Sequence, residues 1–216
     1  NNMKILVFIT LALLLSACSQ EQSPTVQATD ELSNDTSTDT STDQTVDSSP
    51  AIVAAAENNW WSHQPRPEWQ QFEQIHTPTP WFEVYLIRKN IYAIYEPNQF
   101  EEVISYLIVG QSAALLFDSG LGIGNIASAV KYLTKKPILV LNSHHHYDHI
   151  GGNYQFDSVI ALNHEFSKAR SKGLSNDRVG EFASEEWIHG SPPPLFDRAT
   201  YSIQPYEFSR WVSEGQ

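Results

Sequence analysis

Four side chains that can bind a metal ion lie within six residues near the middle of the chain. They follow the pattern H-x-H-x-D-H and are His144, His146, Asp148 and His149. If His144 and His146 lie at the end of a β-strand, the two-residue period of the strand points both imidazoles in one direction, where they can bind one ion. Asp148 and His149 are adjacent, so we expect them to point toward a second ion. Two-metal hydrolytic sites hold their ions roughly 4 Å apart, with a hydroxide between them.

The donor types in this stretch indicate which metal it binds. Imidazole nitrogen and carboxylate oxygen without a thiolate suit zinc, and they suit iron or manganese less exclusively. Gly151 and Gly152 follow directly. Since glycine has no Cβ, the backbone can pass close to a metal cluster there. The sequence therefore predicts a metal centre, against the alternative of a solvated histidine cluster.

The stretch resembles the signature of the metallo-β-lactamase fold superfamily, H-x-H-x-D-H followed by glycine. The resemblance implies that His144 and His146 bind one zinc ion, and that Asp148 and His149 bind a second. It also implies that Asp148 is catalytic, because it would orient the attacking hydroxide as well as bind metal. The full-length domain would then hold two Zn²⁺ ions.

A second run, Leu115 to Gly120, also resembles the family, which has an aspartate and a glycine at the end of this strand. By that resemblance Asp118 supports the metal-binding loop through hydrogen bonds and is not itself a ligand. A compatible alternative is that Asp118 simply initiates a turn.

The hydrophobic pattern around these motifs predicts an α/β fold. Predicted strands cover residues 84–88, 91–95, 103–109, 113–117, 137–141 and 159–162, and predicted helices cover 125–134 and 165–172. A short helix is expected to start at Pro67, because Trp69, Phe72 and Ile75 recur at a helical spacing.

By resemblance, the fold is the first half of an αββα sandwich that is truncated after that half. We expect the chain to be a fragment and a poor enzyme by itself, because the third histidine and the bridging acid of the family would lie beyond residue 216. The later histidines, His164 and His189, have neither the glycine nor the strand context of that third ligand, and we expect both to be ordinary surface residues.

A glycine-rich run, Gly122 to Ala127, matches the dinucleotide pattern G-x-G-x-x-A. That fingerprint also needs an acid at the end of the next strand to bind ribose, and the strand here ends at Asn142. The pattern is therefore not interpreted as a nucleotide site.

The N-terminal residues predict export and lipid anchoring. Lys4 precedes an apolar stretch, residues 5–15, that is too short to span a bilayer and typical of a signal peptide. Leu15 to Cys18 resembles a bacterial lipobox, which implies lipidation of Cys18 and a place in the cell envelope, on the periplasmic or outer-membrane face. The alternative is an ordinary secretory signal with an incidental cysteine.

Composition divides the chain into four predicted segments. They are a lipoprotein signal peptide (1–18), a disordered tether rich in Ser, Thr and Asp (19–59), a lead-in rich in Trp and Pro (60–80) and the metallo-β-lactamase-like domain (81–216). The net charge is −12 and Cys18 is the single cysteine. An intrachain disulfide is therefore excluded, and the acidic balance lacks the basic surface of a nucleic-acid binder.

These observations together predict a zinc-dependent, dinuclear metallohydrolase. It would use a metal-bridged hydroxide to cleave an ester-, amide- or thioester-like bond in a small-molecule substrate. Two alternatives remain open: an envelope lipoprotein that binds metal without catalysis, and a di-iron redox protein on the same fold.

Overall fold

The structure is a computed structural model of the chain and describes residues 59–215. The predicted signal peptide, the lipidation of Cys18 and the predicted tether up to residue 58 lie outside the described residues. Within residues 59–215, no helix has the length and apolarity needed to cross a membrane.

The described residues form one mixed sheet of eight strands, whose spatial order follows the chain. The strands β1 to β5 pair antiparallel, and β5 to β8 pair parallel. The strands are β1 (Glu73–Ile75), β2 (Glu83–Arg88), β3 (Ile91–Tyr95), β4 (Ile104–Val109), β5 (Ala114–Phe117), β6 (Ile138–Leu141), β7 (Val159–Leu162) and β8 (Arg210–Val212).

In residues 59–215, four α-helices and five short 3₁₀ helices precede, connect or follow the strands. The α-helices are α1 (Ile126–Leu133), α2 (Tyr147–Ile150), α3 (Glu165–Arg170) and α4 (Asn176–Val179). The 3₁₀ helices are Trp60–His63, Pro67–Gln71, Asn153–Gln155, Gly180–Ala183 and Arg198–Thr200. Helix α1 joins the parallel strands β5 and β6, and the Asn125 side chain caps it by accepting a hydrogen bond from the Ser128 amide at 2.9 Å.

The core lies mainly between the sheet and α1. Ile126, Ala129 and Val130 of the helix are buried there together with Leu116 and Val140 of the central strands. Burying each of the valine, leucine and isoleucine side chains stabilises the fold by about 1.5–3 kcal/mol, before the loss of chain entropy is counted.

A smaller apolar cluster covers the opposite face at the start of the sheet. Val84 belongs to the main core, whereas its neighbour Tyr85 belongs to this cluster, because successive side chains of a strand point to opposite faces. Trp69 stacks on Tyr85 and Tyr95 with ring centroids 4.7 and 5.2 Å apart. The lead-in thus packs onto the sheet.

Two short strands and one helix boundary differ from the predictions. The helix predicted from Pro67 is 3₁₀ and ends at Gln71, since Phe72 is extended and the following residues form β1 by pairing with β2. Strand β8 pairs with β7 near the end of the chain. A strand of three residues carries too little periodicity to be detected without its partner.

Candidate metal centre

The parallel pairing of β5 and β6 brings the two predicted motifs together. Phe117 and Leu141 are the last residues of these strands and are paired in register. The segments that begin at Asp118 and Asn142 therefore leave the sheet side by side at its carboxyl edge, where α/β sheets commonly bind ligands.

The four predicted ligands form one cluster. The ring of His144 lies 4.1 Å from that of His149 and 4.6 Å from that of His146, measured between centroids. His149 Nε2 lies 2.9 Å from Asp148 Oδ2. The geometric expectation of two separate directions differs from the structure, because His146 is the N-cap of helix α2 and the helical turn that follows places Asp148 and His149 in contact.

Asp118 holds the start of the motif in place. Its Oδ1 accepts a hydrogen bond from the Ser143 amide at 2.7 Å, and its Oδ2 accepts from Ser143 Oγ at 2.9 Å and from His149 Nδ1 at 3.0 Å. Asp118 is buried and has a φ of +63°. It thus forms a turn and also contacts a predicted ligand, which are the two roles considered from the sequence.

Ser143 also determines which nitrogen of His144 is free. Its hydroxyl donates to Asp118, so the neighbouring Nδ1 of His144, 3.0 Å from Ser143 Oγ, is the donor in that contact. The lone pair of the His144 ring then lies on Nε2, the atom available to a metal. Ser143 was not predicted as a functional residue.

The charges at the cluster favour a cation. Burial lowers the pKa of His149, but hydrogen bonds to Asp118 and Asp148 outweigh burial and raise that pKa to about 9. Burial raises the pKa of Asp148, but its hydrogen bond with His149, the charge of His149 and a backbone hydrogen bond together outweigh burial and lower that pKa. Burial and the neighbouring His149 and His146 lower the pKa of His144. Two carboxylates thus stabilise a positive charge at the position of His149.

The donor types fit zinc, but the ligand set is incomplete. In the part of the chain that the structure describes, no three His, Cys, Asp or Glu side chains are grouped so that they could hold one metal ion. Both ring nitrogens of His149 are occupied by carboxylates. A catalytic zinc usually has three protein ligands, so the cluster supplies part of a centre.

A buried polar network supports the end of the motif. Asn142 Nδ2 donates to the His149 carbonyl at 2.7 Å, Asn153 Nδ2 donates to Asn142 Oδ1 at 2.9 Å, and Ser119 Oγ donates to Asn153 Oδ1 at 2.7 Å. All three network residues are buried. The sequence analysis missed this network, although each residue is polar and adjoins a strand end or the glycine pair.

The glycines of the neighbouring loop pack against the motif. The Gly151 amide donates to the Gly120 carbonyl at 2.8 Å. Gly122 has a φ of +77°, and a Cβ there would lie 2.4 Å from the Gly151 carbonyl oxygen. The G-x-G run is therefore needed for close backbone packing onto the candidate metal loop.

The Glu96 carboxylate forms hydrogen bonds with the glycine-rich loop at Leu121 and with Trp81. Its Oε1 accepts from the Leu121 amide at 2.9 Å, and its Oε2 accepts from Trp81 Nε1 at 2.6 Å. Burial raises its pKa to about 7, although these two donors lower it in part. Sequence reasoning missed Glu96, whose only signal is an acid directly after an apolar strand.

Glu96 makes the stability of the fold depend on pH. Because its pKa is raised in the folded state, its contribution to stability is complete below about pH 4.5 and is lost as pH rises to about 7, a change on the order of 3 kcal/mol. Glu96→Gln removes this titration, and it leaves one N–H donor unpaired because an amide has one acceptor oxygen. In metal-free buffer, urea denaturation should show wild type as the more stable protein at pH 5, with a gap that narrows by pH 8. A gap that is constant over this range would contradict the role of Glu96.

The later histidines lie outside the cluster. His164 Nδ1 accepts a hydrogen bond from the Phe166 amide at the start of α3. His189 stacks on Trp61 with ring centroids 4.4 Å apart. Both are exposed residues, and neither contacts the predicted ligands.

Part of the described chain matches a known protein family. The family model described as the metallo-beta-lactamase superfamily matches residues 100–193. The predicted resemblance to this superfamily and the predicted α/β class are thereby confirmed.

Two curated relatives share the name acyl-coenzyme A thioesterase MBLAC2. The chain is 25% identical to the Homo sapiens protein and 27% identical to the Bos taurus protein, over 122 residues in each case. The aligned part is 51% of this chain and 43% of each relative, so the chain spans less than half the length of the curated relatives it matches.

Solved metallo-beta-lactamases are similar at a lower level. The MIM-2 enzyme is 18% identical, with a TM-score of 0.41, and the alignment covers 62% of this chain and 46% of that one. The FEZ-1 enzyme from Legionella gormanii is 21% identical, with a TM-score of 0.35, and the alignment covers 59% and 45%.

Proposed function

We propose that the protein containing this chain is a zinc-dependent hydrolase with a dinuclear centre, acting on an ester-, amide- or thioester-like bond. The observation that carries the proposal is the clustering of His144, His146, Asp148 and His149 at the carboxyl edge of β5 and β6. Hydrolysis at such a centre needs imidazole and carboxylate donors on a rigid support, which the sheet and the network below the motif provide.

The residues of the cluster have distinct roles in this proposal. His144 and His146 would hold one zinc ion, and Asp148 and His149 the other. His149 Nε2 would exchange its contact with Asp148 for the metal ion. His149 Nδ1 would keep its hydrogen bond to Asp118. Bound zinc lowers the pKa of a water molecule and polarises the bond to be cleaved. Asp148 would accept a hydrogen bond from that water and orient it.

A thioester is the first substrate class to test. The relatives aligned over 122 residues are named acyl-coenzyme A thioesterases. Thioesters, esters and amides share an acyl carbon that water attacks, so one centre can serve all three classes.

The experiment is a turnover panel with the full-length, zinc-loaded protein. Thioesters, lactones, activated esters and β-lactams are supplied as substrates, and His146→Ala and His164→Ala are assayed in parallel. We expect turnover of at least one class that His146→Ala abolishes and His164→Ala retains, since His164 lies outside the cluster. If no substrate is turned over by protein with bound zinc, a non-catalytic metal-binding lipoprotein becomes the better account. Bound iron would favour redox chemistry.

The proposed location is the cell envelope, with a lipid on Cys18. This part of the proposal rests on the sequence of residues 1–18 alone. Mass spectrometry of the protein purified from membranes would show the lipid mass on Cys18, and release of the protein by Cys18→Ser would support anchoring.

A further inference from the structure

A cleft of about 260 Å³ adjoins the candidate metal centre. His146 and Tyr147 of the motif line it, together with Arg170 of α3 and Arg178 of α4. Phe182 contributes to the apolar part of the lining and stacks on Tyr147 with ring centroids 4.2 Å apart. The cleft thus combines a predicted metal ligand, two cationic side chains and an apolar wall.

The guanidinium of Arg170 packs against an aromatic ring. Its Nε is buried and makes no hydrogen bond, and its Cζ lies 4.7 Å from the centroid of the Phe166 ring. Among the described residues, neither Arg170 nor Arg178 forms an ion pair with a carboxylate. Arg170 is partly exposed and Arg178 is exposed, so the accessible N–H groups of both guanidiniums can donate to an anion that enters the cleft.

The charge around the cleft contrasts with the rest of the protein. The chain carries 25 acidic and 13 basic residues, yet the residues that line the cleft include Arg170 and Arg178 and no Asp or Glu. Guanidinium groups bind carboxylate and phosphate through paired N–H donors, in a geometry that a lysine cannot reproduce. Two arginines in a small cleft therefore favour an anionic ligand.

We propose that this cleft binds an anionic group of the substrate, a carboxylate or a phosphate, through Arg170 and Arg178. The reacting bond would lie at the cluster of His144, His146, Asp148 and His149, and the apolar wall of Tyr147 and Phe182 would contact the chain that leads to the anion. The role as a substrate subsite rests on the proposed function, whereas anion binding by the cleft does not.

Direct titration tests the binding step without turnover. Inorganic phosphate and succinate are titrated into the full-length protein, with zinc and after its removal, and binding is followed by NMR. The variants are Arg170→Gln, Arg178→Gln and the matched control Lys172→Gln, whose side chain lies outside the cleft. We expect one of the two anions to bind at least about tenfold more weakly to each arginine variant, and within about twofold of wild type to the control. The anion that responds identifies the group.

Matched substrates test the subsite role. An S-acyl pantetheine is compared with its 4′-phosphate, and a propionyl thioester with the succinyl thioester. The double arginine variant should lose at least about tenfold in kcat/KM for one charged member while the uncharged member changes by less than about twofold. If anion binding depends on the arginines but the protein turns over no substrate, anion binding by the cleft is supported and the proposed hydrolase activity is contradicted. Binding that is equal in all variants, or that is absent from wild type, would overturn the proposal.

Discussion

Gly151→Ala is expected to destabilise the fold by at least about 3 kcal/mol, because the added Cβ overlaps backbone that cannot move aside. A Cβ at this position would lie 2.2 Å from the carbonyl carbon of Leu121 and 2.6 Å from the Gly122 amide nitrogen. The close contact between the two loops and the hydrogen bond from Gly151 to Gly120 would both be lost. Urea denaturation of the metal-free protein measures the loss directly.

Gly190→Ala is the matched control. Its φ of +74° makes alanine strained there, but a Cβ would meet no atom within 4 Å. We expect a cost of about 1 kcal/mol from the backbone alone. If both variants lose the same stability, steric packing of the glycine loop against the motif is not what requires Gly151.

Asp118→Asn is expected to weaken zinc binding roughly 10- to 100-fold, because the carboxylate that orients His149 and Ser143 is replaced by an amide with one acceptor oxygen. Asparagine tolerates the left-handed backbone at this position, so the change tests the hydrogen bonds and not the turn. Competition with a chromophoric chelator measures the affinity.

Asp157→Asn serves as the control for loss of one negative charge. Asp157 is exposed and lies outside the motif. Equal effects of the two substitutions on zinc affinity would show that Asp118 acts only through net charge.

Most of the sheet could be predicted because its local signals agree. The hairpin of β2 and β3 has a turn at Lys89 and Asn90, and Asn90 has the left-handed φ of +65° that asparagine accepts readily. In β4, Leu107 is buried and its neighbours Tyr106 and Ile108 are exposed, so alternation marks the strand. Strand ends that follow such signals agree with the structure within about one residue.

The candidate site was predictable in its residue types and less so in its geometry. The spacing of the motif identifies the metal donors. Whether residue 146 ends a strand or precedes a helix depends on hydrogen bonds that Asp118 forms with Ser143 and that Asn142 forms with His149, and Asp118 is distant from the motif in the sequence. The burial of Glu96 depends on Trp81 and Leu121 in the same way. Polar residues whose partners come from other elements carry no periodic signal.

The sequence did not predict the arginine cleft for the same reason, because the residues that line it come from different elements. Arg170 and Arg178 are eight positions apart on two short helices, and only the packing of both helices against the motif brings them to His146. The sequence analysis predicted a helix around residues 165–172 and assigned no role to either arginine.

Zinc binding by His144 and His146 at one ion, and by Asp148 and His149 at a second, is the central proposal. Its most direct test is a zinc titration, by competition with a chromophoric chelator, of wild type, His146→Ala, Asp148→Ala and the control His164→Ala. We expect saturable zinc binding that weakens at least about tenfold in His146→Ala and Asp148→Ala and is unchanged in His164→Ala. Wild-type binding that is no tighter than that of a variant lacking all four side chains would contradict it.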